Sequence, residues 1–142
     1  MKYRDVIRGR QWMGRVEKGE DLLEALTRFA RSNQVRLGIV QGIGALQKAR
    51  LSIYDQEKQE YDTLEIDKPV EVTNLTGNIS LKDGAIFCHL HATLADREGK
   101  ALGGHVSEGC KVFAFEFIVQ DLVGDAFHRA PEEETGLTLW DI

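Results

Sequence analysis

Three of the chain's four histidines, His89, His91 and His105, lie between residues 89 and 105. In a strand, side chains alternate faces with a rise of about 3.3 Å per residue, so His89 and His91 project from one face roughly 6–7 Å apart. That separation lets two imidazoles reach one metal ion. Farther along, Gly103-Gly104 precedes His105; two residues without a Cβ let the backbone approach closely and leave His105 room to swing toward the pair. Three neutral imidazoles with one position left over suit Zn²⁺, while nickel, copper or iron would also accept the set. Zinc held in this way takes a small anionic or polar fourth ligand, and hydrolytic or lyase-type chemistry is open to it. The competing reading makes each ring a structural group satisfied by a backbone carbonyl.

Carboxylates that could orient these rings are Asp96, Glu108 and Glu116. Glu108, three residues beyond His105, is the best placed of them, although Glu is ordinarily a solvated surface residue. Cys88 has the opposite parity from His89 and should face away from the site. With no CxxC pair, Cys88 and Cys110 read as reduced, buried small hydrophobes. His128 falls in a polar C-terminal stretch and reads as a surface residue. GxGxxG, P-loop and GxSxG signatures are absent, so nucleotide cofactors and serine-nucleophile chemistry gain no support.

Positioning these residues requires strands. Glu20 to Arg31 places Leu22, Leu23, Leu26, Phe29 and Ala30 at helical spacing with charges opposite, which predicts one amphipathic helix ended by Ser32-Asn33-Gln34. Val35 to Val40 is short and apolar like a buried strand, and Gly42-Ile43-Gly44 interrupts it as a bulge or tight turn. Leu46 to Tyr54 and Tyr61 to Ile66 form a hairpin. Glu71 to Leu81 and Ala85 to Leu94 form a second, across Lys82-Asp83-Gly84. Trp12, Met13 and Val16 mark a strand entering the fold. Lys111 to Gln120 is the last strong strand, with Phe113, Phe115, Phe117 and Val119 on one face and Val112, Ala114, Glu116 and Ile118 on the other. About six strands and one helix give an α+β fold, an antiparallel sheet with the helix on one face. If the phenylalanine face meets the helix, Val112, Ala114 and Ile118 need cover from another sheet or subunit.

At 142 residues, 42% hydrophobic and 29% charged, the chain has the size and composition of a single globular domain. It shows no linker between residues 1 and 142. The first residues lack the apolar run of a signal peptide and no stretch suits a membrane span, so a cytoplasmic location is expected. A net charge of −5 opposes non-specific binding to DNA phosphates. That charge is uneven, with Lys2, Arg4, Arg8 and Arg10 at one end and Glu132-Glu133-Glu134 near the other.

Leu90-His91-Ala92-Thr93-Leu94-Ala95-Asp96, followed after a turn by Gly99-Lys100-Ala101-Leu102-Gly103-Gly104-His105-Val106, resembles the central signature of the plants and prokaryotes conserved (PPC) domain family, in its stand-alone prokaryotic form. Gly19 to Leu26 resembles the family's first helix, and Gly42 to Leu46 its glycine-containing strand start. The resemblance spans roughly residues 4 to 120 and leaves 121–142 as a C-terminal extension. It implies a sandwich-like α+β fold, a homotrimer that would cover the second face of the Phe113 strand, and metal ligation at His89, His91 and His105. In plants the domain is fused to a DNA-binding AT-hook, Arg-Gly-Arg-Pro. Here Arg8-Gly9-Arg10 is followed by Gln11 instead of proline, which counts against a working AT-hook; the basic N-terminus and the family's association with DNA keep a regulatory DNA-binding or protein-interaction role as the alternative.

Overall fold

The computed structural model describes residues 1–142. In chain order the elements are β1 (Ile7–Val16), α1 (Leu22–Ser32), β2 (Gly38–Asp55), β3 (Glu60–Ile66), β4 (Val70–Lys82), β5 (Ala85–Ala95), β6 (Ala101–Val106), β7 (Lys111–Val123), β8 (His128–Pro131) and β9 (Thr138–Trp140). One helix beside nine strands makes this an α+β fold whose sheet is antiparallel except where β8 runs parallel to β4. No helix is long and apolar enough to cross a membrane.

The long strand β2 organises the sheet. Its first half pairs with β7 on one side and β4 on the other, while its second half pairs with β3 and, at Leu51 and Ser52, with β6. Since β4 pairs with β5 and β5 with β6, the hydrogen-bonded path leaves β2 and returns to it. A sheet closed on itself in this way must bend sharply, and strands bend at bulges. Register breaks occur between Gly42 and Gly44 against β4 and beyond Ala45 against β7. The glycine segment is therefore a bulge inside one continuous strand, and not the boundary between two. Ile43 stays paired with Glu116 of β7 while the β4 side slips, so pairing on one edge carries the strand through the irregularity on the other.

A second bulge corrects the reading of the Phe113 strand. Ala45 pairs with Ala114 but Leu46 pairs with Val112, which makes Phe113 the extra residue. Side-chain parity inverts there. Val112 is fully buried beside Phe115 and Phe117, whereas Phe113 is 53% exposed. Strict alternation assigned both residues to the wrong sides.

Helix α1 starts at Asp21, whose carboxylate accepts the Glu24 N–H at 3.0 Å and the Gly109 N–H at 2.7 Å. The first of these bonds satisfies a helix donor that has no partner within the helix. Leu22, Ala25, Leu26 and Ala30 are buried, and Phe29 meets Phe117 and Trp12 edge-on at ring-centroid distances of 5.1 and 5.8 Å. Gln34, with φ of 56°, turns the chain away from the helix. Inside, Leu46, Leu51, Leu75, Ile79, Leu90, Leu94 and Phe115 are all under 2% exposed within one core cluster.

Candidate metal centre

The core fixes the histidines by excluding them from it. Along β5, Cys88, Leu90, Ala92 and Leu94 are buried while His89, His91 and Thr93 point outward. Cys88 thus faces away from the site, as its parity requires. His105 needs no swing toward the pair: it sits on β6 directly opposite His91. Directly opposed residues of an antiparallel pair project from the same face with Cβ atoms about 4.5–5.5 Å apart. Gly104, just before it, lets β6 lie close to β2, because a Cβ there would meet the Ser52 carbonyl oxygen at 2.9 Å.

The three rings form a near-equilateral triangle with centroids 5.1 Å (His89–His91), 5.0 Å (His89–His105) and 5.4 Å (His91–His105) apart. One ligand nitrogen from each can be chosen so that all lie within 4.8 Å of one another, and the Nε2 atoms of His89 and His91 are 3.2 Å apart. Two nitrogens on a tetrahedral zinc with bonds of about 2.0–2.1 Å stand roughly 3.3–3.4 Å apart, so this pair already has a ligating separation. In addition, His105 Nδ1 is buried with no hydrogen-bond partner. A buried ring nitrogen without a partner is costly, and a metal is one partner that would relieve it. An all-imidazole donor set with these spacings fits a divalent transition metal.

The carboxylates stand elsewhere. Asp96 closes the β5–β6 turn, accepting from the backbone N–H groups of Glu98 and Lys100 and from Lys68 at 3.0 Å; these bonds, led by that from Lys68, hold its carboxyl below the usual range. Glu108 lies in a cleft against the helix with Thr27, Arg28 and Arg31. Neither joins the histidine cluster, and Glu116 is paired into β7 away from it.

Arg129, on β8, does reach the site. Its Nη2 donates to Asn78 Oδ1 at 2.9 Å and lies 3.3 Å from His89 Nδ1, Nε donates to Ser80 Oγ at 2.9 Å, and Nη1 donates to the Thr138 carbonyl at 3.0 Å. The guanidinium also lies over the rings of Phe87 and Trp140. His89, His105 and Arg129 line a cavity of ≈ 430 Å³ with Ser52, Tyr61 and Ser107. Burial first, and then the Arg129 charge and the other histidines, push His89 down to about 4 from an ordinary 6.5. Burial, aided by His91 and Arg129, lowers His105 as well. Both rings are therefore neutral at neutral pH, the form that binds metal.

A pH prediction follows. Because the folded value for His89 lies below the unfolded one, the unfolded chain binds the proton first as pH falls. The stability from a neutral His89 is complete above about 6.5 and is lost as pH drops toward about 4. Metal-free protein should melt progressively lower across that window, and His89→Gln should flatten the dependence. Ring-proton NMR should place the His89 midpoint near 4.

A bent mixed sheet with one helix, presenting three histidines from two adjacent strands, defines the class as small α+β domains with a histidine cluster built on the sheet. The chain belongs to the Plants and Prokaryotes Conserved (PCC, or PPC) domain family, whose model matches residues 3–123. A metal-containing protein from Archaeoglobus fulgidus is 38% identical with a TM-score of 0.94, the match covering 99% of each chain. A plant- and prokaryote-conserved protein from Pyrococcus horikoshii is 35% identical with a TM-score of 0.93, covering 100% of this chain and 98% of the other. A Bacteroides thetaiotaomicron protein described as a candidate DNA-binding protein is 26% identical with a TM-score of 0.86 over 96% of both chains. Among curated relatives, bifunctional protein GlmU of a Synechococcus species is 34% identical over 124 residues, and the chain spans only 19% of its length.

Proposed function

We propose that this protein is a metal-binding domain, most suited to zinc, that holds the ion at His89, His91 and His105 and captures a small anionic ligand beside it. The observation carrying the reading is the triangle of three histidine rings, each offering a ligand nitrogen within 4.8 Å of the others. The likeness to a metal-containing archaeal protein at 38% identity supports it. A bound zinc would supply a Lewis acid, while the strand pairing of this chain supplies the preset positions of its ligands. Residues 1–142 are taken as one domain, with 121–142 contributing Arg129 to the site.

We also propose that the protein assembles as a homotrimer, as the family resemblance implies. Met13, Ile39, Ile43 and Phe113 are each 40–80% exposed and stand on neighbouring strands β1, β2 and β7, an apolar surface that another copy would cover. Its free, buried cysteines suit the cytoplasm. Elemental analysis of purified native protein beside a His89→Ala, His91→Ala variant tests the site, with light scattering on both to test the assembly. Metal near one ion per chain in the native protein and none in the variant is the expected result. Absence of metal from both would leave the regulatory reading, which the Bacteroides likeness favours. Direct DNA binding has little to work with at the basic N-terminus: Arg8-Gly9-Arg10 lies within paired strand β1, and Arg10 is joined to Asp121 at 3.2 Å.

A further inference from the structure

The cavity beside the histidines carries positive charge and nothing to balance it. Among its twelve lining residues are Arg129 and Lys82, and none is Asp or Glu. On a chain with 23 acids and 18 basic residues, a recess without a carboxylate is unexpected. Neither cation is in an ion pair: Lys82 stands over the Phe87 ring with 5.6 Å from Nζ to the centroid, and every hydrogen bond from Arg129 goes to a neutral group. A half-buried guanidinium without a counter-charge is costly.

Donor counting sharpens the point. A guanidinium has five N–H groups. Ser80, Thr138 and Asn78 take three, and a fourth faces His89 Nδ1 at 3.3 Å. One N–H on Nη1 is left over. The fourth contact also conflicts with metal ligation, because a neutral imidazole that ligates through Nε2 keeps its proton on Nδ1 and cannot accept there. A metal at the cluster would therefore turn that N–H away from His89 and add a second positive charge nearby. An anion in the cavity answers both demands. It would accept the spare N–H on Nη1 and the released N–H on Nη2, donors on the two terminal nitrogens that suit an oxyanion, and it would separate the guanidinium from the ion. Ser52 and Ser107, hydrogen-bonded to each other at 2.7 Å, and Tyr61 offer neutral hydroxyls on the same walls.

We propose that the ≈ 430 Å³ cavity is an oxyanion subsite in which Arg129, with Lys82 at its side, grips a carboxylate or phosphate group of a small ligand whose other end reaches the histidine cluster. The volume is that of a small-molecule site, within about 300–1,000 Å³. The proposal deepens the metal reading and names the anion's partner. The Phe87 and Trp140 rings, with centroids 5.2 and 5.8 Å from the guanidinium carbon, and its three hydrogen bonds to Asn78, Ser80 and Thr138 keep the guanidinium in place, so the site is preformed.

Isothermal titration of zinc-loaded protein with inorganic phosphate and, separately, acetate tests it and separates the two oxyanion classes. With both proteins first saturated with zinc, the native protein should bind at least one probe, and Arg129→Met should weaken it about 10–100-fold, the loss expected for charge-assisted hydrogen bonds. Arg129→Lys should retain part of the affinity. Equal affinity in native and Arg129→Met protein, or no binding of either probe to native protein, would overturn the subsite while leaving the metal site standing. If zinc is not taken up at all, phosphate or acetate binding that still depends on Arg129 sustains the subsite and sinks the metal reading. Should the variant fail to fold, phenylglyoxal modification of native protein decides: the bound probe should shield Arg129 in peptide mapping, and unchanged labelling refutes the proposal.

Discussion

Zinc added to metal-free protein should raise its melting temperature by roughly 5–10 °C when free zinc exceeds Kd a hundredfold, and should leave His91→Ala unmoved. The size follows from linkage. A ligand that binds only the folded state stabilises by about 2.7 kcal/mol at that excess, and about 1 kcal/mol shifts the melting point of a chain this long by about 2–4 °C. Binding should be confined to the folded state because the three ligands come together only through the β5–β6 pairing, in which His91 faces His105. His91 is the cleanest position to vary, since it is exposed and its removal takes little from the core. His128→Ala is the matching control: this fourth histidine is also exposed, on β8, and removing it should preserve the full zinc shift. Equal shifts in native and His91→Ala protein would place the zinc elsewhere and discard the three-histidine site.

How much of this site could be read in advance depended on how local its causes are. His89 and His91 share one strand, so a period of two was enough to put them on one face, and the same period placed Cys88 in the core. The helix was equally legible, because Leu22, Leu26 and Ala30 repeat at its pitch, although it begins at Leu22, after Asp21, and not at Glu20. His105 was harder. The residues and the resemblance both named it as a partner, but Ala101–Val106 is short and contains two glycines, and it is a strand through its pairing with β5 and, where Gly104 allows close approach, with β2. The glycines therefore suggest room for His105 to swing toward the pair, where strand pairing in fact fixes it.

Arg129 had no local signature at all. It reaches His89 because β8 runs parallel to β4 at Leu81 and Lys82, a contact between segments some fifty residues apart that no periodicity reports. A basic residue in a polar stretch carries no sign of its destination until the sheet is assembled. The bulge at Phe113 failed for a related reason. Alternation is a rule for unbroken ladders, and one extra residue, required by the curvature of β2, reverses it. Asp96 and Glu108 illustrate the opposite error: nearness in sequence suggested a role beside the histidines, yet Asp96 is committed to Lys68 and two backbone donors and Glu108 lies by the helix.

Replacing Gly77 by alanine should cost about 3 kcal/mol or more and abolish zinc binding along with it. A Cβ at Gly77 would stand 2.1 Å from the His89 carbonyl oxygen and 2.7 Å from Leu90 Cδ2. Overpacking inside a well-filled core typically costs about 1–3 kcal/mol when neighbours can shift, and these neighbours are poorly placed to do so. Gly77 pairs with Leu90 on one side and with Val40 of β2 on the other, so β4 cannot retreat from β5 without breaking into β2. Leu90 is itself fully buried in the core. The strain falls on the segment that aims the metal ligands, since the flanking pairs are Asn78 with His89 and Thr76 with His91. Displacing β5 there would spoil the triangle of rings while leaving every histidine present. Gly84→Ala supplies the contrast. Gly84 occupies the β4–β5 turn with φ of 77° and nothing within 4 Å of the added carbon, so alanine there suffers only from an unfavourable backbone conformation, about 1–2 kcal/mol. Denaturant melts and zinc titrations on both variants measure the difference. A Gly77→Ala protein with native stability would mean that β4 and β5 are not held at this separation. A destabilised Gly77→Ala protein that still bound zinc normally would show that the ligands do not depend on this stretch of the ladder for their alignment.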